Sequence, residues 1–353
     1  MEQPEYIVPL LSEIKNIQHN GFNVISTFAG GGGSSTGYRM AGYKILLANE
    51  FVEEAQKTYS CNKSSKTILN SSDIRKTTGY DFLEKVGLSP GQLDILDGSP
   101  PCASFSTAGS REKNWGKIKK YSDVSQRSDD LFFEFARVLS EIKPKVFVAE
   151  NVSGLVKGAA KGYFIDILNK FKICGYNVEA KLLNAQWLGV PQSRQRLIFI
   201  GVRDDLGLRP VFPKPFKHYY TLKNALSAAN SYIEPETNIK KYAIYKEWKK
   251  MGASGTKSKK YFQLVRPALN MPCPTVTATA GNPGAASVVH PLEPRKFSVS
   301  EIKSICSFPD DYDLTGNYSQ SVERCGRAVP PVMMKSIAAT IQTEILEKIN
   351  GSS

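Results

Sequence analysis

Cys102 stands directly behind two prolines in "GSPPCASFS" (98–106), at the end of the apolar run "LDILDG" (93–98). A proline fixes its own φ and restricts the residue before it, so this thiol has a stiff mount. A cysteine placed this way is either a small core residue or a nucleophile. Glu150 and Asn151 close a second apolar run, "KVFVAENV" (145–152), and Arg194 and Arg196 lead into a third through "QSRQR" (192–196). Brought together, a thiol, a carboxyl group and two guanidiniums supply a nucleophile, a proton carrier and fixed positive charge. The stretch "FAGGGGSSTG" (28–37) offers a different chemistry. Its glycines let the backbone turn tightly and approach a ligand. Glu50 ends the next apolar run, where an acid in a Rossmann-like unit accepts hydrogen bonds from ribose hydroxyls. Asp73, in "SSDI" (71–74), stands at the expected end of a third strand, within reach of an adenine amino group. Together these features fit an adenosine-containing cofactor. No GKS or GKT follows the glycines, which argues against a phosphate-cradling loop.

Residues so far apart meet only on a scaffold that gathers strand ends. Short apolar runs alternate with helical patterns along the first half. Strands are expected at "NVISTFA" (23–29), "KILLANEF" (44–51), "LDILDG", "KVFVAENV" and "RLIFIGVR" (196–203). Helices are expected through "TGYRMAG" (36–42), "VEEAQKTYS" (52–60), "SDDLFFEFARVLSEIK" (128–143) and "YFIDILNKFKICG" (163–175). This alternation predicts an α/β fold with a doubly wound, mostly parallel sheet, whose ligands sit at the carboxyl ends of the strands. Residues 204–296 break the pattern with Pro, Lys, Tyr and Trp and read as a small irregular domain, after a main domain over 1–203. Helical periodicity returns over 297–353, a segment expected to rejoin the main domain.

The chain has 353 residues, with 46 Lys and Arg against 33 Asp and Glu, a formal charge of +13 that favours a polyanionic partner. Its six cysteines form no CxxC and its three histidines no metal-ligand spacing, so neither a metal nor a disulfide framework is expected. No apolar run approaches the ~18–20 residues that span a bilayer, and no signal peptide is evident, so a soluble intracellular protein is expected.

In order, the glycine-rich turn, "GSPPCASFS", "AENV" (149–152), "QSRQR", "PCPTVTAT" (272–279) and "RCGRAVPP" (324–331) resemble the motifs of the cytosine-C5 DNA methyltransferases, across nearly the whole chain. The resemblance implies a class I methyltransferase fold, with residues 204–296 as the target-recognition domain. It implies Cys102 as the nucleophile toward cytosine C6 and Glu150 at N3 of the base. Asn151 would order its turn, Arg194 would bind the base oxygen or nearby backbone, and Arg196 would support the site. Carried over by position, the donor pocket would comprise Phe28, Ala29, Gly30, Gly32, Glu50, Phe51, Asp73, Ile74, Pro100, Leu131, Arg327, Ala328 and Val329. The donor would be S-adenosyl-L-methionine, or carboxy-S-adenosyl-L-methionine for the reason given below, with no metal. Expected DNA contacts are Ala103, Ser104 and Ser106 in the cysteine loop, Lys113, Lys117 and Lys119 in the basic stretch "REKNWGKIKKYSDVSQR" (111–127), and Gln192. The implied partner is double-stranded DNA, bound by a monomer in a prokaryotic or phage cytoplasm, with a restriction endonuclease as a further partner. An RNA cytosine methyltransferase and a non-catalytic DNA-binding relative are the rival readings.

Three positions depart from the family pattern. Ala103 replaces a glutamine, Ser26 an acid, and Arg327 the asparagine of Gly-Asn-Ala-Val-Pro-Pro. A guanidinium near a sulfonium is repelled by several kcal/mol, ~4 at 4 Å with an effective dielectric of 20. Three readings of Arg327 stay open. It faces solvent or a DNA phosphate; it binds the donor's methionine carboxylate; or it binds an extra carboxylate on the transferred group, in which case the product would be 5-carboxymethylcytosine.

Overall fold

The computed structural model describes residues 4–101, 119–121, 124–126, 130–156 and 160–351. Its centre is a seven-stranded sheet: β1 (Asn23–Thr27), β2 (Lys44–Asn49), β3 (Ile68–Asn70), β4 (Ile95–Gly98), β5 (Val146–Val152), β6 (Tyr176–Asn184) and β7 (Gln195–Arg203), in the order β3-β2-β1-β4-β5-β7-β6. The first five are parallel, and β7 runs antiparallel to both β5 and β6. The five strands expected from apolar runs form, within a few residues of their expected ends. β3 and β6 add to them. β3 stops three residues short of Asp73, which instead caps a turn of 3-10 helix (Ile74–Lys76) by accepting from the Arg75 N–H at 3.0 Å.

The central strands are apolar on both faces because helices cover both. On one face Ile25, Phe147, Ala149, Leu197 and Phe199 pack against α3 (Gly79–Val86), α4 (Leu131–Ile142) and α5 (Ala160–Ile173). On the other, Val24, Val146, Val148, Ile198 and Ile200 pack against α1 (Gly33–Met40) and α10 (Pro331–Ile341). This is the continuous-hydrophobic pattern of strands buried on both sides. α1 and α10 approach closely because Gly37 has no side chain. A Cβ there would lie 2.6 Å from Met334 Cβ and closer still to the Pro331 carbonyl. α2 (Glu53–Asn62) follows β2 and brings Tyr59 and Thr58 beside the glycine turn.

A third apolar cluster joins Tyr6 and Leu11 to α6 (Leu222–Ala228), α8 (Val299–Ile305) and α9 (Tyr318–Arg327), with Cys273 and Val276 among them. Parts of 204–296 therefore share a core with the C-terminal segment. The basic region keeps a small core of its own: Ile239, Leu264, Val289, and Ile244 and Met251 from α7 (Ala243–Lys250) and its cap. No helix among the described residues is long and apolar enough to cross a membrane.

Candidate active site

A cavity of about 870 Å³ opens at the carboxyl ends of β1, β2, β4 and β5, where the start of the antiparallel β7 also lies. A parallel sheet places ligands at this edge. The loop after β1 lines it with Phe28, Ala29, Gly30, Gly31, Gly33 and Ser34. Phe28 adopts φ 51 and Gly30 φ 55, so the turn is left-handed at both residues. A Cβ on Gly30 would meet nothing within 4 Å, so the backbone is bare toward the cavity. Gly32 does not line it. A Cβ at Gly32 would meet Tyr312 Oη at 2.5 Å and Tyr59 Cδ2 at 3.2 Å, so the expectation that Gly32 touches the donor is corrected.

Glu50 is buried at the end of β2. Its carboxylate accepts from the backbone N–H of Gly30 and of Val52, each at 2.7 Å. Burial raises its pKa, against the opposing pull of those N–H groups and of Arg324. Phe51, half exposed, continues the wall, followed by Asp73, Ile74, Pro100 and Leu131. Ala328, Val329 and Arg327 close it from the C-terminal side. Arg327 holds Glu323 one helical turn away, Nε to Oε1 at 2.7 Å.

Glu150 sits at the end of β5 with 8% of its surface exposed. Its Oε1 lies 2.6 Å from Arg196 Nε, and Ser99 hydrogen-bonds its side chain. Burial raises its pKa; Arg196 first, then Arg194 and Ser99, oppose that shift. Asn151 donates from Nδ2 to the Pro100 carbonyl at 3.1 Å and accepts from the Val152 N–H at 2.8 Å, which ties the end of β5 to the proline turn. Arg194 is 1% exposed and donates to the carbonyls of Val276 (3.0 Å) and Gly326 (2.7 Å), its pKa lowered by burial to about 9. Both hydrogen bonds run to the protein's own carbonyls, and they lock "PCPTVTAT" to the end of α9.

Gln192 is fully buried. Its Nε2 donates to the Ile305 carbonyl and to Cys306 Sγ, and its Oε1 accepts from the Val276 N–H. The expectation that Gln192 contacts DNA is corrected: it has no open face. Cys102, Ala103, Ser104, Ser106, Lys113 and Lys117 lie outside the described residues, and Lys119 is described only as backbone, in a short strand paired with Val124–Gln126. No cluster of metal-ligating side chains occurs among the described residues.

Three polar residues were missed. Ser99 reaches Glu150, Glu323 holds Arg327, and Arg324 lines the cavity beside the glycine turn. The signal for Arg324 was in "RCGRAVPP": residues three apart on a helix share a face, so Arg324 and Arg327 had to point the same way.

The model of the family described as C-5 cytosine-specific DNA methylase matches residues 22–343. The chain belongs to that family. Among curated relatives, the Type II methyltransferase M.NgoPII of Neisseria gonorrhoeae is 30% identical over 351 residues, 92% of this chain and 96% of the relative. M.DdeI of Desulfomicrobium norvegicum is also 30% identical, over 94% and 91% of the two chains. Among solved structures, a prophage-encoded DNA modification methyltransferase of E. coli superposes with a TM-score of 0.72 at 21% identity, covering 92% of this chain and 99% of the other. The S. pombe Dnmt2 methyltransferase gives 0.63 at 17% identity, over 93% and 99%. The fold is thus the class I methyltransferase fold, and the chain is a methyltransferase that takes an S-adenosylmethionine-type donor. The residues present fit such a donor. The cavity has the size of a small-molecule site, Glu50 faces it with an oxygen pair already oriented by two N–H groups, and the bare Gly30 leaves room for a ligand against the backbone.

Proposed function

We propose that this chain methylates C5 of cytosine in double-stranded DNA, with S-adenosyl-L-methionine as donor and Cys102 as nucleophile. One observation carries the reading: Glu150, held by Arg196 and Ser99, and Glu50, held by Gly30 and Val52, open on the same cavity. A base site and a nucleoside site that share one space are what transfer between a donor and a nucleobase requires.

C5 of cytosine is a weak nucleophile. Addition of the Cys102 thiolate to C6 makes C5 enamine-like. Glu150 holds a proton at N3, and its burial raises its pKa in favour of the neutral acid. Arg196 opposes that burial effect and fixes the carboxyl in place. When bound, the donor supplies an activated methyl carbon, which C5 takes as the carbon–sulfur bond breaks. Loss of the C5 proton to water and departure of Cys102 then restore the aromatic base. The target cytosine has to leave the helix to reach these groups. Asn151 keeps the proline turn, and so the mount of Cys102, against β5.

The Glu323 carboxylate lies against Arg327, so the positive charge that replaces the family asparagine is answered within the fold. This supports methyl rather than carboxymethyl as the transferred group. The relatives' names support a role in modifying DNA beside a restriction endonuclease. Incubation with duplex DNA and with tRNA, followed by nucleoside mass spectrometry, tests substrate and product together. 5-Methylcytosine in DNA alone is expected. Modification of tRNA alone overturns the substrate, and 5-carboxymethylcytosine overturns the donor. Trapping on DNA that contains 5-fluorocytosine is expected with the native chain and not with C102A.

A further inference from the structure

The small core of the basic region carries a hairpin. Thr256–Lys257 pairs antiparallel with Val265–Arg266, and Val265 bridges onward to Val288. The Ser258 N–H donates to the Leu264 carbonyl at 3.0 Å and closes the loop between them. Ser258 Oγ accepts from the N–H groups of Lys260 (3.0 Å) and Tyr261 (2.8 Å) and donates to Glu247 Oε1 at 2.7 Å. Leu264 is fully buried in the small core, against which Tyr261 also packs. At the foot of the hairpin Arg266 donates to the Pro291 carbonyl at 2.8 Å and stacks on Trp248, 4.0 Å from the ring centroid. The loop is thus fixed from below by one hydroxyl, two packed side chains and a spent guanidinium.

Its tip faces water. Phe262 is 93% exposed, more than any other large apolar side chain among the described residues. Lys257, Lys259 and Lys260 stand exposed around it, Lys260 lying over the Tyr261 ring at 5.2 Å. A scattered exposed apolar residue is ordinary on a protein surface. Here, however, the backbone that buries Tyr261 and Leu264 sends the ring between them outward, on a braced loop ringed by lysines. Charge of that sign selects a polyanion, and the ring needs an apolar feature on it.

The hairpin also stands in reach of the active site. Thr279 lines the cavity, and nine residues further along the chain Val288 meets the hairpin. Nine residues span at most ~32 Å, so the foot of the hairpin lies within about one duplex turn of the cavity wall. A two-stranded ribbon enters the ~12 Å major groove of DNA but not the ~6 Å minor groove. The apolar feature displayed in the major groove is the 5-methyl group of thymine, a partner that phenylalanine suits.

We infer that Phe262 is a specificity-determining residue that packs on the 5-methyl group of a thymine in the target site, with Lys257, Lys259 and Lys260 set against the flanking phosphates. This rests on the DNA-cytosine reading above.

The test reads target choice. The native chain, F262A and K259Q/K260Q are expressed in a host without cytosine methylation, and the modified positions are sequenced in its DNA. The native pattern defines the site, and duplexes carrying it are then made with each thymine in turn replaced by uracil. Uracil at one position is expected to weaken methylation by the native chain at least ~5-fold, and by F262A less than about 2-fold. F262A is expected to accept other bases at that same position. Because Phe262 is so exposed, F262A should melt with the native chain. K259Q/K260Q is expected to weaken binding to every sequence alike, and to lower the slope of log affinity against log salt by up to about 2. An unchanged target pattern in F262A overturns the inference. So does a uniform loss of rate at all sites, which would make the ring a wedge or a support. A native chain indifferent to uracil at every position overturns it as well. If the native chain modifies no DNA, the function proposed above fails, a result distinct from a native chain that modifies DNA without using Phe262.

Discussion

Replacing Arg196 by Met tests whether Glu150 is kept in its buried position by charge. The two groups meet at 2.6 Å and each side chain is 11% exposed, so little water shares the contact. At an effective dielectric of 20, unit charges ~4 Å apart attract by ~4 kcal/mol, but the cost of drying both ions cancels much of this. Removing one partner is another matter, because it strands a buried charge at a cost of ~3–5 kcal/mol. Glu150 has a way out, which is to take up a proton. Without Arg196 its already raised pKa rises further, although Arg194 and Ser99 still favour the ionised form. The sign follows from proton linkage. A folded-state pKa raised above the unfolded value means that the fold binds more protons, so stability falls as pH rises between the two values. Relative to the native chain, R196M is expected to lose progressively more stability as pH rises above the ordinary carboxylate range, by up to ~1.4 kcal/mol per pH unit, and least at the acid end. Urea unfolding across this range reads the difference directly. A loss that is the same at every pH refutes the reasoning, because it would mean that Arg196 contributes packing and not charge.

E150Q cannot supply an acidic proton, and is expected to lower kcat by ~10²–10⁴ while DNA affinity stays within about 3-fold, measured by single-turnover methylation and filter binding. Asp97, under the site at the end of β4, is buried between Ser26 and Tyr38 with its pKa pushed up to about 7. Its ionisation therefore costs the fold stability as pH rises toward about 7, and D97N should gain ~1–3 kcal/mol on the native chain between about pH 5 and about pH 8; a constant difference refutes this. Lys296, 1% exposed, donates to the Ala285 carbonyl and to Ser287 Oγ, and burial lowers its pKa to about 7. The protonated lysine penalises the fold below that pH and the penalty fades as pH climbs toward about 10, so K296M should compare best with the native chain near about pH 6; parallel thermal-melt profiles would refute the claim.

The sheet was legible where burial on both faces leaves a continuous apolar run, as in "VFVA" and "LIFIGV". It was not legible at β6, an edge strand whose residues alternate between buried and exposed, nor at β3, which has only three residues. In "QSRQR" the polar residues themselves were visible, but the structure divides them between the short strand Gln192–Ser193 and β7. What spacing could not show is depth. Gln192 lies beneath Ile305 and Cys306, Arg194 reaches backbone carbonyls, and Arg196 alone meets Glu150. The partners that set this gradient come from segments about 80 to 130 residues away in sequence, and no local pattern carries them. The glycine turn failed in the same way. Four glycines look alike on paper, and it is Tyr59 and Tyr312, from two other elements, that crowd Gly32 and not its neighbour Gly30.

Arg327 shows how a local departure changes meaning once its neighbours are known. Taken alone, it places a permanent cation beside a sulfonium donor, and the repulsion invites an anionic transferred group. On α9, however, residues 323, 324 and 327 fall on one face, so Glu323 meets both guanidiniums and binds Arg327 the more closely. Arg327 therefore stands as half of an ion pair one helical turn long, and not as a lone cation. The pairing removes the electrostatic need for an anionic transferred group, and the modified nucleoside decides between the two products.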